Sequence, residues 1–249
     1  MVNKILPNKH DSRAKSDQIQ EMFDRISKNY DRLNRIITFG MYSQWKKKVV
    51  DIIQDENPKT ILDLATGTAD FALAMKDIPG VKIRGVDISE QMLEVGRSKV
   101  NKAGVSKTID LQIGDAESLQ FQQEHFDLVL VSFGLRNFEN LDKGLAEIFR
   151  VLKKGGCLIT LETSVPKNWF MKLFYLLYTR VFMPSVARIL TGEKAAYSYL
   201  SKSAQAFPCP IKLRTLMTKT GFFSVEFKPL NFGVSTIHIA RKPINEESI

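Results

Sequence analysis

Five short apolar runs between Thr60 and Glu162 alternate with stretches of helical period, and this alternation constrains the fold more than any other feature. The runs are Thr60–Ala65, Val81–Asp87, Ile109–Ile113, Phe126–Phe133 and Cys157–Glu162. Between them lie Ala69–Met75, a helix capped by Ser89 and running through Val100 to a stop at Gly104, and Leu141–Leu152. Gly155-Gly156 turns the chain into the fifth run. Strands that alternate with helices pair in parallel through right-handed crossovers. About five such units are too few for an eightfold barrel, so the expected fold class is α/β, a doubly wound, mostly parallel open sheet.

The flanks read differently. Residues 1–16 resemble a frayed arm. Ile19, Met22, Phe23, Ile26, Tyr30 and Leu33 recur at helical spacing, which predicts one amphipathic helix from Asp17 that Gly40 breaks. A second helix covers Trp45–Ile53 and closes before Pro58. Residues 164–207 break the alternation as an aromatic-rich helical insertion. After them come a helix at Ile211–Thr220, ended by Gly221, and two strands, Phe222–Leu230 and Val234–Ala240, joined as a hairpin through Asn231-Phe-Gly233. The tail after Pro243 reads as disordered.

Thirty-six Lys and Arg against 27 Asp and Glu leave a net charge of +9, which allows an anionic partner: nucleic acid, a membrane surface or an anionic cofactor. Two cysteines, Cys157 and Cys209, make neither a disulfide framework nor a zinc site, and fit a reducing compartment, most simply a cytoplasm. Met1–Gln20 is polar and charged, unlike a secretory signal. The most apolar stretch, Trp169–Leu190, is interrupted by Lys172, Arg180, Pro184 and Arg188 and does not read as a transmembrane helix.

The mouths of the first three strands carry the chemistry. The first ends in Asp63-Leu-Ala-Thr-Gly-Thr-Ala-Asp70, a small-residue turn that lets a ligand approach the backbone. Asp87 ends the second strand, 20 residues past Gly67, where a carboxylate accepts hydrogen bonds from ribose hydroxyls. Gly114-Asp115-Ala116 ends the third, placing a carboxylate and backbone groups at an adenine edge. The third glycine of a dinucleotide fingerprint is replaced by Asp70, which would repel a pyrophosphate but attract a sulfonium and an ammonium. That favours S-adenosylmethionine over NAD. No metal is called for.

These residues resemble motif I of class I S-adenosylmethionine-dependent methyltransferases. Met22-Phe-Asp-Arg-Ile-Ser-Lys-Asn-Tyr-Asp-Arg-Leu-Asn34, Gly114-Asp-Ala-Glu117, Phe133-Gly-Leu-Arg-Asn-Phe138, Leu152-Lys-Lys-Gly-Gly156, Tyr197-Ser-Tyr-Leu200 with Phe207-Pro208, and Gly221-Phe222 are similar to the UbiE/MenG quinone C-methyltransferases. The resemblance runs from about Gln20 to Lys242. Two departures are Thr66-Gly67-Thr68, where the family commonly has Gly-Gly-Thr, and Lys154, where it often has proline.

The resemblance implies a seven-stranded sheet with the last strand antiparallel, and one methyltransferase domain. Its parts are an N-terminal helical cap (1–57), a cofactor-binding core (58–163), a helical lid (164–207) and a C-terminal helix and hairpin (208–242). It implies cofactor contacts at Thr68, Asp87, Asp115, Ala116 and Ser132, beside Asp63, Gly67 and Asp70 of the turn. The implied reaction methylates a ring carbon of a polyprenyl hydroquinone and releases S-adenosylhomocysteine. A neutral ring carbon is a poor nucleophile, and a phenol titrates near ~10, so the site must stabilise a phenolate. Arg136 is the expected electrostatic clamp, and Asn137 the hydrogen-bond donor to the same oxygen. Tyr30, Asp31 and Asn34 are expected to cap the pocket, and Phe133, Tyr197 and His238 to lie on the acceptor side, His238 being the less favoured base. A water or a nearby carboxylate is expected to take the proton, and the sequence leaves both open. Demethylmenaquinol is the expected acceptor, with a benzoquinol of the ubiquinone route or another lipid as alternatives.

Trp169, Phe170, Leu173, Phe174, Leu177, Val181 and Phe182, with Lys172 and Arg180, form either a lid that dips into a bilayer surface, a buried subdomain helix or a homodimer contact. An RNA methyltransferase is disfavoured because Ser132-Phe-Gly-Leu-Arg136 lacks the proline-rich motif after the fourth strand, and no aromatic-basic stripe replaces it. A cofactor-binding scaffold without turnover is the non-enzymatic alternative.

Overall fold

The computed structural model describes residues 5–183, 185 and 194–245. Seven strands form one sheet: β1 (Thr60–Leu64), β2 (Lys82–Asp87), β3 (Ile109–Ile113), β4 (Phe126–Ser132), β5 (Leu152–Thr163), β6 (Ser224–Leu230) and β7 (Ser235–Arg241). Their order is β3-β2-β1-β4-β5-β7-β6. The first five pair in parallel, and β7 runs antiparallel to both β5 and β6. The α/β sheet and the terminal hairpin are as expected.

Strand alternation sorts the core into two layers. Ile61, Leu128 and Leu130 face one layer, where α3 (Met41–Asp55), α4 (Asp70–Ala74) and α5 (Glu90–Lys102) add Val49, Ile53, Phe71 and Leu93. Leu62, Leu64, Val129 and Val131 face the other, closed by Leu145 and Ile148 of α6 (Leu141–Val151) and by Leu213 and Met217 of the helix at Pro210–Thr220. Ser89 caps α5 as expected, its hydroxyl oxygen accepting from the Met92 N–H while the hydroxyl donates to Asp24.

The predicted single helix from Asp17 is two helices. α1 (Lys15–Ile26) ends in a tight turn at Ser27–Asn29 before α2 (Tyr30–Ile37). The Ser27 hydroxyl donates to the Asp24 carbonyl at 3.0 Å, competing with the helical ladder at the break. α3 begins four residues earlier than Trp45, directly after Gly40 with its positive φ of 75°. The arm is not frayed where it is described: Lys15 is buried and donates to the carbonyls of Arg136 (3.0 Å) and Phe138 (2.7 Å). Residues 1–4 lie outside the described residues, as do 246–249 of the tail expected to be disordered.

The insertion supplies α7 (Trp169–Leu177), continued by a wide turn at Tyr178–Phe182, and α8 (Lys194–Ala206); the helix at Pro210–Thr220 is α9. Tyr197, Tyr199 and Leu200 of α8 pack on Met22, Ile26, Leu33 and Met92 in a third cluster. Cap and insertion are thereby joined.

Candidate active site

Backbone geometry at the end of β1 builds the first half of the site. Ala65, Gly67 and Ala69 all have positive φ (57°, 56° and 61°), a left-handed conformation that costs alanine on the order of 1 kcal/mol each. Asp63 holds this turn from below. Its carboxylate accepts from the Thr66 hydroxyl at 2.7 Å and from the Ala72 N–H at 3.1 Å, and burial pushes its pKa up to about 7. Its expected role as a ligand gives way to a role in shaping the turn.

Asp87 sits where the sequence puts it. Its two oxygens accept from the N–H groups of Gly67 (2.8 Å) and Ser89 (2.9 Å). Burial raises its pKa, and these donors work against that rise. A carboxylate offers about four acceptor directions, so capacity remains for a ligand. Asp115 accepts from the Glu117 N–H at 2.8 Å. Gly114 has no room for a side chain, because a Cβ there would stand 2.9 Å from Val86. The Ser132 hydroxyl is buried with no hydrogen-bond partner among the described residues. Gly67, Asp87, Asp115, Ala116, Ser132, Phe133 and Asn137 line one narrow cavity of about 90 Å³, closed by Ile19, Phe23 and Tyr30 of the cap.

Thr68 and Asp70 do not line that cavity. The Thr68 hydroxyl donates to Asp31 at 2.5 Å and accepts from Lys99 at 3.1 Å. Asp70 pairs with Lys46 at 2.6 Å, and Lys99 with Asp31 at 2.8 Å. Side chains leaving a turn whose φ changes sign point to its outer side, where α2, α3 and α5 supply the partners. Asp70 is therefore not the carboxylate beside a sulfonium that its place in the turn predicts. With Asp31, it ties the cap to the core.

A second, apolar cavity of about 360 Å³ lies across Tyr30 and Phe133, which line both. Its walls include Asn34, Phe39, Trp45, Tyr175 and Tyr178, with Arg136 as its cation. Phe133 has a φ of 55°, and its ring lies 5.4 Å from the Arg136 guanidinium. Arg136 pairs with Glu162 at 2.7 Å, both side chains being largely buried. Burial works most strongly against the guanidinium charge, but Glu162, Tyr30 and Tyr199 together outweigh it and Arg136 stays protonated. Burial likewise raises Glu162 against the pull of Arg136. The Tyr30 phenol is raised by burial, and that of Tyr175 is pushed up to about 12 by burial, so both stay neutral.

Asn137 departs from expectation: it lines the narrow cavity rather than the wide one, accepts from the Tyr199 hydroxyl at 3.2 Å and donates to the Phe133 carbonyl at 3.4 Å. One turn of tight helix at Leu135–Asn137 sends adjacent residues to different cavities. Tyr197 is 1% exposed within the cap core, and lines neither cavity. His238 is also remote from both. It lies 3.2 Å from the Pro210 carbonyl, packs on Phe227, and is pushed down to about 4 by burial.

His238→Gln is accordingly expected to leave turnover within about twofold. Its signature lies in stability. The buried imidazole stays neutral while the unfolded one titrates near 6.5, so the unfolded state binds the extra proton between about 4 and 6.5. Acidification through that window therefore destabilises the native protein, and the variant should lose less Tm from pH 7 to about 4.5 than the native chain. A hundredfold loss of kcat, on the order of a missing general base, would restore His238 to the reaction.

The sequence did not single out Glu162 as the partner of Arg136, although an acidic residue ending an apolar strand was a usable signal. It also did not assemble the wide cavity, whose walls come from α2, α3, α7 and α8.

The model of the ubiE/COQ5 methyltransferase family matches residues 11–242. A protein of Bacteroides fragilis named demethylmenaquinone methyltransferase is 40% identical over 240 residues, covering 96% of this chain and 98% of its own. Its namesake from Thermus thermophilus is 39% identical over 223 residues, covering 89% and 100%. Among solved structures, an S-adenosylmethionine-dependent methyltransferase of Thermotoga maritima, described as a possible histamine N-methyltransferase, superposes with a TM-score of 0.63 at 22% identity, covering 90% of this chain and 99% of its own. The [4+2]-cyclase SpnF reaches 0.62 at 16% identity, covering 92% and 97%. The solved structures share the fold and no more, whereas the sequence match spans cap, core, insertion and hairpin alike: the chain belongs to the ubiE/COQ5 methyltransferase family.

Proposed function

We propose that the protein methylates a ring carbon of a polyprenyl hydroquinone, converting demethylmenaquinol to menaquinol with S-adenosylmethionine as the methyl donor. One observation carries the reading: a narrow cavity that holds the Asp87 and Asp115 carboxylates and a wider apolar cavity that holds a buried guanidinium meet at Tyr30 and Phe133. Two partners of different character can thus be held end to end.

The narrow cavity fits the donor. Asp87 would hold the ribose hydroxyls, Asp115 and the Ala116 backbone the adenine, and the unpartnered Ser132 hydroxyl a polar group of the amino-acid end. When bound, S-adenosylmethionine supplies an electrophilic methyl on a sulfonium and leaves as S-adenosylhomocysteine. The wide cavity fits a flat aromatic ring with a greasy substituent. Arg136 meets the ring oxygen there, and its fixed positive charge favours the phenolate over the phenol. With the phenolic proton passed to water, electron density rises at the adjacent ring carbon, and that carbon gives up its own proton to water once it carries the methyl, which restores the aromatic hydroquinone. Glu162 anchors the guanidinium, so that little reorganisation is needed when charge develops. Tyr30 and the cap exclude bulk water from the junction.

The names of the relatives favour the naphthoquinol ring over a benzoquinol. No described helix is long and apolar enough to cross a membrane. We place the protein in the cytoplasm, working at a membrane surface. Supplying a methyl-labelled donor and a short-tailed demethylmenaquinol, then locating the label by NMR, tests the reading. Label on the ring carbon supports it; label on oxygen, or on a benzoquinol alone, overturns it.

A further inference from the structure

The described part of the insertion presents an exposed apolar surface. Trp169, Phe170, Leu173, Phe174, Leu177 and Val181 are each more than half exposed. Two other segments extend the surface. Phe39, between α2 and α3, stacks on Phe182 at 5.4 Å and lies 5.7 Å from Tyr178. Phe232, at the β6–β7 turn, is 80% exposed beside Gly233, whose carbonyl accepts from the Ser164 hydroxyl at 2.7 Å. Phe39, Phe174 and Val234 also line the wide cavity, so the surface and the cavity wall are continuous.

Charge selects the occupant. Among the described residues from Ser164 to Met183, Lys167, Lys172 and Arg180 are cationic and none is Asp or Glu. A second copy docking by twofold symmetry would set such cations against their own kind. An anionic bilayer surface complements them and accepts exposed aromatics at its headgroup boundary.

We propose that α7, with Phe39 and Phe232, docks on an anionic lipid surface and turns the wide cavity toward it. The placement of the cavity rests on the quinol reading above; the docking itself does not. A polyprenyl tail can then remain in the acyl region while the ring alone enters the protein, which spares the cost of drawing the tail into water.

The tryptophans provide the probe. Trp169 is 75% exposed, whereas Trp45 is 5% exposed and donates to Asn231 at 2.6 Å. A shift of emission on adding lipid therefore reports Trp169. The full chain is mixed with vesicles of phosphatidylcholine, with and without about a third phosphatidylglycerol. The expected result is a blue shift and flotation with the anionic vesicles, quenching by brominated acyl chains, and loss of binding at high salt. Leu173→Glu should weaken flotation about tenfold or more. Leu173 does not line the cavity, so turnover of a short-tailed acceptor without vesicles should stay unchanged, while turnover of a long-tailed acceptor in vesicles falls. Trp169→Ser, which leaves Leu173 in place, is a second variant expected to lose flotation. The proposal is overturned if the native chain does not float, if both variants float like it, or if the blue shift appears without lipid as the chain dimerises. Vesicle binding without methylation of any quinol would uphold the docking surface and overturn the proposed function.

Discussion

Arg136→Ala is expected to lower kcat by about a hundredfold to a thousandfold, while the Kd for S-adenosylmethionine changes by no more than about twofold. The split follows from placement. Arg136 lines the wide cavity and not the narrow one, so it acts on the acceptor oxygen and not on the donor. The variant also leaves Glu162 buried without its partner, and breaking a buried pair costs about 3–5 kcal/mol unless the carboxyl takes up a proton. Lost turnover must therefore be separated from lost folding. The double change Arg136→Met with Glu162→Met replaces both charges by apolar groups and should recover most of the lost Tm while remaining inactive. Stopped assays at saturating donor, calorimetric titration of the donor and thermal melts give the three readouts. Equal losses of donor affinity and turnover would show that Arg136 holds the loop and does no chemistry.

Asp87→Ala should do the reverse. Two hydrogen bonds from ribose hydroxyls to a buried carboxylate are together worth about 3 kcal/mol, which predicts a rise in donor Kd of about a hundredfold. The same carboxylate holds the Gly67 and Ser89 N–H groups, so part of the loss comes through the turn. Asp87→Asn keeps one accepting oxygen and should fall between the two. At saturating donor, kcat should recover to within a few-fold, because Asp87 does not touch the acceptor cavity. Unchanged donor affinity would remove Asp87 from the ribose.

The contrast between these residues and their neighbours shows what a sequence makes legible. Asp87 and Asp115 end parallel strands, and the carboxyl edge of such a sheet faces a crevice whatever surrounds it. Their placement followed from strand order alone. Thr68 lies in, and Asp63 and Asp70 flank, a turn with positive φ at Ala65, Gly67 and Ala69, and residue names do not encode where each side chain leaves it. Lys46 reaches Asp70 from α3, a contact that only tertiary packing creates. Arg136 was legible because it follows β4 directly. Glu162 was not assigned to it, since pairing ends of β4 and β5 requires the sheet order. The wide cavity drew on aromatics from α2, α3 and α7 and on Leu200 and Ala204 of α8, segments that read separately as core or lid.

The most direct measurement offers the purified protein S-adenosylmethionine and a short-tailed demethylmenaquinone, held either reduced or oxidised, and weighs the recovered quinone by mass spectrometry. The expected result is one added methyl under reducing conditions and none under oxidising conditions, because only the hydroquinone has a phenolic proton whose loss Arg136 can favour. Methylation of both forms at equal rates, or of neither while the donor still binds, would contradict it.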